Sequence, residues 1–133
     1  IWLNKPKMEK ELEGYTPSEV HCIEAIKNIQ DPNVKKISDE MFMTRGAISK
    51  LTKKLIKKNA IESYRKSENK KEIYFRLIEE GERVYQRHLK LHQVFLDRDK
   101  PFFDNISDEE FKVLNNFFEK YSDYLDQEIK KEK

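Results

Sequence analysis

Residues 43–59, Met-Thr-Arg-Gly-Ala-Ile-Ser-Lys-Leu-Thr-Lys-Lys-Leu-Ile-Lys-Lys-Asn, constrain the fold more than any other part of the chain. They read as one helix with two unlike faces. Thr44 can cap it, because its hydroxyl can accept from an early backbone N–H. Ile48, Leu51 and Leu55 recur at helical spacing and form one apolar stripe. Gly46, Ser49, Lys50, Lys53 and Lys57 fall on the other side. A cationic face with a small residue near the helix start suits close approach to a DNA groove: lysines neutralise phosphate, and Arg45 or Ser49 can reach base edges.

The flanking segments give that helix a context. Residues 34–41 form a short helical pattern with Val34, Ile37, Ser38 and Met41 on one side and Asn33 as cap, and Phe42 occupies the turn. Two helices joined by a tight turn make a helix-turn-helix, whose second helix docks in the major groove. Downstream, residues 61–65 and 73–77 carry β-branched and aromatic side chains with partial alternation. The polar residues 66–72 between them read as a loop. This predicts a β-hairpin with a charged tip, placed as a wing.

At these residues the chain resembles the MarR family of winged helix-turn-helix regulators. The resemblance rests on Thr16-Pro17-Ser18-Glu19 opening an early helix, on residues 43–50, on Asn69-Lys70-Lys71-Glu72 in the wing, and on residues 77–81 as the exit into a long helix. It runs from about Tyr15 to the end of the chain. Many relatives carry Asp-x-Arg in the wing, where the pair braces the loop and the arginine enters the minor groove. Here Asn69-Lys70-Lys71 stands in its place, with Lys71 where the arginine would be. The resemblance implies a homodimer that binds double-stranded DNA through Thr44, Arg45, Gly46, Ser49, Lys50, Lys53, Lys57, Asn69, Lys70 and Lys71.

The distribution of charge agrees. Between Thr44 and Arg76 there are eleven Lys or Arg against three Asp or Glu, an excess of +8 in a chain whose net charge is only +2. A basic segment on an acidic body is the footprint of a phosphate-binding face. The chain's 133 residues allow one domain. No apolar run approaches the roughly 20 residues a membrane helix needs, and there is no signal-peptide pattern. A single cysteine, Cys22, excludes an intrachain disulfide and favours a reducing compartment, hence the cytoplasm. The first residue is not methionine, which points to a missing head.

The expected architecture is mainly α with a small β-wing: a winged helix-turn-helix lobe over about 15–78, and dimerisation helices over about 1–14 and 79–133. Ile1-Trp2-Leu3 reads as the tail of a cropped helix. Residues 15–30 make a helix with a Thr16/Glu19 capping box and Pro17 at its first position. Residues 80–97 make another, with one stripe of Val84, Leu91 and Phe95 and a second of Tyr85, Leu89 and Leu96, which predicts burial on two sides. Residues 98–101, ending in Pro101, interrupt it, with room for the helix to resume through Phe102 and Phe103. Ser107 and Glu110 cap a last helix, on which Phe111, Leu114, Phe117, Phe118, Tyr121, Tyr124, Leu125 and Ile129 share one aromatic face. Such a face suits a subunit interface.

The three histidines are His21, His88 and His92. His88 and His92, four apart on one helix, share a face, a common metal-ligand spacing. Leu89 stands where a zinc protease would have its glutamate, so hydrolysis is not indicated. The zinc-sensing branch of the family carries similar histidines, one on the early helix and two spaced four apart on the long helix. That resemblance implies a metal site at His21, His88 and His92, completed by Glu9, Glu11 or Glu13, with zinc as the metal suited to imidazole and carboxylate. No cofactor is required by anything else. There is no glycine-rich phosphate loop and no nucleophile elbow, so no enzyme is expected. The functional expectation is a sequence-specific, ligand- or metal-responsive repressor. The alternative is a winged-helix protein–protein interaction module without DNA readout.

Overall fold

The computed structural model describes residues 12–132. Its elements are α1 (Pro17–Asn28), α2 (Val34–Met41), α3 (Arg45–Lys57), β1 (Ile61–Lys66), β2 (Asn69–Leu77), α4 (Glu79–Asp104) and α5 (Asp108–Lys131). The chain divides into two compact units at Gln93/Val94, so α4 runs from one into the other. The expected segment at Ile1-Trp2-Leu3, and Glu9 and Glu11, lie outside the described residues.

In the first unit each helix starts where its cap allows. Thr16 Oγ1 accepts from Glu19 N at 3.2 Å, Asn33 Oδ1 from Lys36 N at 2.8 Å, and Thr44 Oγ1 from Ala47 N at 3.1 Å. The box expected at Thr16 is only half made. The Glu19 side chain is buried, bonds to the Thr16 hydroxyl and takes an ion pair with Lys58 Nζ at 2.6 Å instead of returning to the cap backbone.

Cys22, Ile23 and Ile26 of α1, Ile37 of α2, Ile48 and Leu55 of α3, Ile61 and Phe75 of the hairpin and Val84 of α4 form one core. Each large aliphatic side chain buried this way contributes about 1.5–3 kcal/mol. Burial also pushes the Cys22 thiol up to about 12. Phe42 closes α2 in a left-handed conformation, φ 53° and ψ 43°. For a residue with a Cβ this costs roughly 1–2 kcal/mol.

The hairpin pairs Ile61 with Leu77 and Tyr64 with Tyr74, and the register then slips before Lys66 meets Asn69. The turn is therefore Ser67-Glu68, and residues 69–72, expected as loop, belong to β2. Alternation is weak there because both faces of the wing are solvated, which removes the signal that would have marked a strand. Phe75 N donates to Pro32 O at 2.9 Å, tying β2 to the α1–α2 loop. Gly81, at the start of α4, is required by contact: a Cβ there would lie 2.0 Å from Ala60 O.

One expectation for α4 is corrected. The helix is not interrupted at residues 98–101 but continues through Pro101 to Asp104. Proline so close to the end removes one backbone bond without undoing the turns before it. In the single chain, Gly81, Val84, His88 and Leu91 are inside and Tyr85 is packed against the core, while Leu89 and Leu96 are 41% and 63% exposed.

In the second unit, α5 opens on a complete capping box between Ser107 and Glu110. None of its residues is buried. Its aromatic face, from Leu114 to Ile129, lies open in the single chain.

Candidate nucleic-acid interface

The helix α3 presents the face its sequence foretold. Ile48, Leu51, Thr52 and Leu55 are buried. Thr44, Arg45, Gly46, Lys50, Lys53 and Lys57 are exposed, and Ser49 is half-buried beside them. Nothing lies within 4 Å of where a Gly46 Cβ would be. The fold itself thus makes no demand for glycine there. Lys27 pairs with Glu82, Lys58 with Glu19, and Lys66 with Asp31. Among the described residues, by contrast, no acid pairs with Arg45, Lys50, Lys53 or Lys57. These three body cations are neutralised internally, whereas those four of α3 have no counter-charge among the described residues.

The wing carries Asn69, Lys70 and Lys71, all exposed. Asn69 Oδ1 accepts from the backbone N–H groups of Lys71 and Glu72, each at 3.3 Å. Arg65 Nη1 donates to Lys70 O at 2.5 Å across the hairpin. Arg65 was not among the residues expected from sequence. Its signal was a basic side chain facing Asn-Lys-Lys across a hairpin, which becomes visible only once the slipped register is known. From the tip end of β1, Lys66 holds Asp31 at 2.6 Å, and the Asp31 carboxyl is lowered from its ordinary range by that bond.

The three histidines converge. The His88 ring lies 4.3 Å from that of His92 and 6.1 Å from that of His21, centroid to centroid. His88 is buried, and its Nε2 meets Glu24 Oε2 at 3.1 Å. Among the described residues, the carboxylate bonded to His88 is thus Glu24, one turn along α1 from His21. The (i, i+3) spacing of His21 and Glu24 was the available signal. Burial lowers the His88 pKa, opposed by Glu24 and reinforced by His92 and His21. Among the described residues, no group of three or more His, Cys, Asp or Glu side chains is arranged to hold a metal ion. The described residues therefore do not support the expected zinc, and Glu9 and Glu11, two of the carboxylates expected to complete its site, lie outside them. Beside the cluster, His21, Glu24, Glu40, Met41 and Met43 line a cavity of about 440 Å³.

Comparison with known proteins follows this geometry. The MarR family model matches residues 15–73, which cover α1, the helix-turn-helix and most of the hairpin. Over those residues the chain matches the MarR family. It is 34% identical over 109 residues to the HTH-type transcriptional regulator PchR of Bacillus subtilis (strain 168), covering 82% of this chain and 64% of that protein. The chain thus spans somewhat under two thirds of the length of that relative. Its fold is similar to that of Streptococcus pneumoniae FabT, solved in complex with DNA, with TM-score 0.71, 20% identity, and coverage of 95% and 91% of the two chains. A MarR/EmrR family transcriptional regulator from Acinetobacter sp. ADP1 is 26% identical over 95% and 91% of the two chains, with TM-score 0.62.

In this chain the wing differs from the Asp-x-Arg pattern in a way the bonds explain. Asn69 supplies the acceptor that an aspartate would, but without its charge. The nearest arginine, Arg65, is spent on the Lys70 carbonyl. Lys70 and Lys71 are left as the wing's free charges, which act as points and lack the planar fork of arginine.

Proposed function

We propose that the chain is a MarR-type transcriptional regulator that binds double-stranded DNA as a homodimer, with α3 as recognition helix and no enzymatic role. The carrying observation is the set of unpaired cations on the exposed face of a capped helix in a helix-turn-helix. Arg45 and Ser49 would meet base edges around the open space at Gly46. Lys50, Lys53 and Lys57 would meet phosphates, and Lys70 and Lys71 the backbone beside the wing. Two copies, joined through the aromatic face of α5, would set two α3 helices into successive major grooves, roughly 34–36 Å apart. Repression and a cytoplasmic location are the readings that go with this type of regulator. No described helix is long and apolar enough to cross a membrane.

A small-molecule response is assigned to the cavity beside His21. A molecule seated there would bear on Met41 and Met43, which flank the turn into α3. The alternative, a protein-interaction module, is disfavoured by the uncompensated charge on α3, which an apolar partner would have to desolvate. Fluorescence anisotropy on a labelled duplex, titrated with salt, tests the reading. Binding should weaken steeply with salt, and Lys53→Ala should reduce the slope by about one unit. Binding that is absent at low salt, or indifferent to salt, would overturn it.

A further inference from the structure

Phe42 is 95% exposed, more than any other large apolar side chain among the described residues. Its neighbours Met41 and Met43 are half-buried and face the cavity against α1, so the chain turns them inward and Phe42 outward. Its backbone is left-handed, with φ 53°. The other two non-glycine residues of positive φ are Asp31 and Asn59, types that tolerate this conformation. Phenylalanine is not such a type. Glycine or asparagine would close α2 with less strain and expose no ring. The core gains nothing from the side chain, so folding alone does not account for it.

The position suggests what does. Phe42 stands two residues before Thr44, the cap of α3, and three before Arg45. Three backbone steps place it within about 11 Å of the Arg45 Cα. That end of a recognition helix is the part that reaches into the groove. The lysines further along α3 are assigned to phosphate, and beside its phosphates a duplex offers apolar surface on deoxyribose and on the thymine methyl group.

We propose that Phe42 is a DNA-contact residue, laying its ring on this apolar surface where α3 enters the groove. The proposal rests on the DNA-binding reading above and adds to it a residue that reads apolar surface and not charge. An uncharged contact contributes affinity without releasing counter-ions, which separates it from every lysine on the same face.

The experiment uses duplexes selected by the wild-type protein from a random-sequence library. Affinity is measured across a salt series for wild type, Phe42→Asn, Phe42→Gly and Phe42→Leu, alongside thermal unfolding. The Asn and Gly variants should unfold at the wild-type temperature or above it, since both residues accept the left-handed turn. They should bind about tenfold more weakly at every salt concentration with an unchanged slope, and Leu should retain most of the affinity. Replacing thymines by uracil one at a time assigns the contact. A position where uracil weakens the wild type but not Phe42→Asn is the thymine methyl, and a loss indifferent to uracil places the ring on deoxyribose. Asn and Gly variants that bind as tightly as wild type, or that lose binding only with a lowered unfolding temperature or an altered slope, would overturn the proposal. A wild-type protein that selects no sequence and shows no salt-dependent binding would instead strike the DNA-binding reading itself.

Discussion

Lys66 Nζ lies 2.6 Å from Asp31 Oδ2, joining the end of β1 to the loop between α1 and α2. Tyr64 Oη reaches the other oxygen of the same carboxylate at 3.5 Å, and the Lys66 ammonium sits 5.0 Å over the Tyr74 ring. Asp31 thus fixes the angle at which the wing leaves the lobe. Asp31→Asn keeps a residue tolerant of the φ of 51° and removes only the charge. Amide exchange across β1 and β2 should quicken while α1 is unaffected, with little change in melting temperature. Unchanged exchange in the hairpin would mean that the Phe75–Pro32 backbone bond alone holds the wing.

On α3, base readout and phosphate contact are expected to separate. Arg45→Ala and Ser49→Ala should weaken binding to a selected sequence more than binding to random duplex, with each lost base contact costing about 1–3 kcal/mol. Lys57→Ala should weaken both alike. Competition binding with specific and random DNA measures the ratio, and a ratio indifferent to Arg45→Ala would put base readout elsewhere.

The aromatic face of α5 predicts assembly. Phe117, Phe118, Tyr121 and Tyr124 are each 52–60% exposed in the single chain. That is too much contiguous apolar surface for a stable monomer. Sedimentation should give twice the 16.1 kDa chain mass at micromolar concentration. Phe118→Glu should give the monomer. A monomeric wild type would remove the interface assigned here.

The pH dependence follows from His88. Burial lowers its pKa below the ordinary 6.5, so on acidification the unfolded chain takes up a proton before the folded one does. Stability contributed by the neutral ring is therefore complete above about pH 6.5 and is lost as pH falls through the window beneath it. Chemical denaturation at pH 7.5 and 5.5 should show the loss, and His88→Gln should reduce it. A slope that survives the substitution would point to other groups.

Much of the lobe was readable in the sequence because its signals are local. Thr44, Asn33 and Ser107 cap where their side chains say they should, and the Ile48/Leu51/Leu55 stripe is set by helical period alone. What could not be read depends on partners distant in sequence. The tip of the wing is shorter than residues 66–72 suggest because the register slips after Tyr64. In the second stripe of α4, Tyr85 packs against the core, but nothing among the described residues buries Leu89 or Leu96. Glu19 leaves its expected cap bond because Lys58, 39 residues on, competes for it. The three histidine rings lie near one another, but the carboxylate bonded to His88 is Glu24, whose orientation toward α4 is a matter of helix packing.

Cys22 was described above only as a member of the core. It is the chain's sole thiol, fully buried, and its thiolate is disfavoured up to about pH 12. A thiol reagent can therefore reach it only when α1 has parted from the rest of the lobe. The rate of labelling is a stopwatch on that opening, carried by the native sequence without any probe added. Slower labelling in the presence of DNA would report how far the bound state suppresses it.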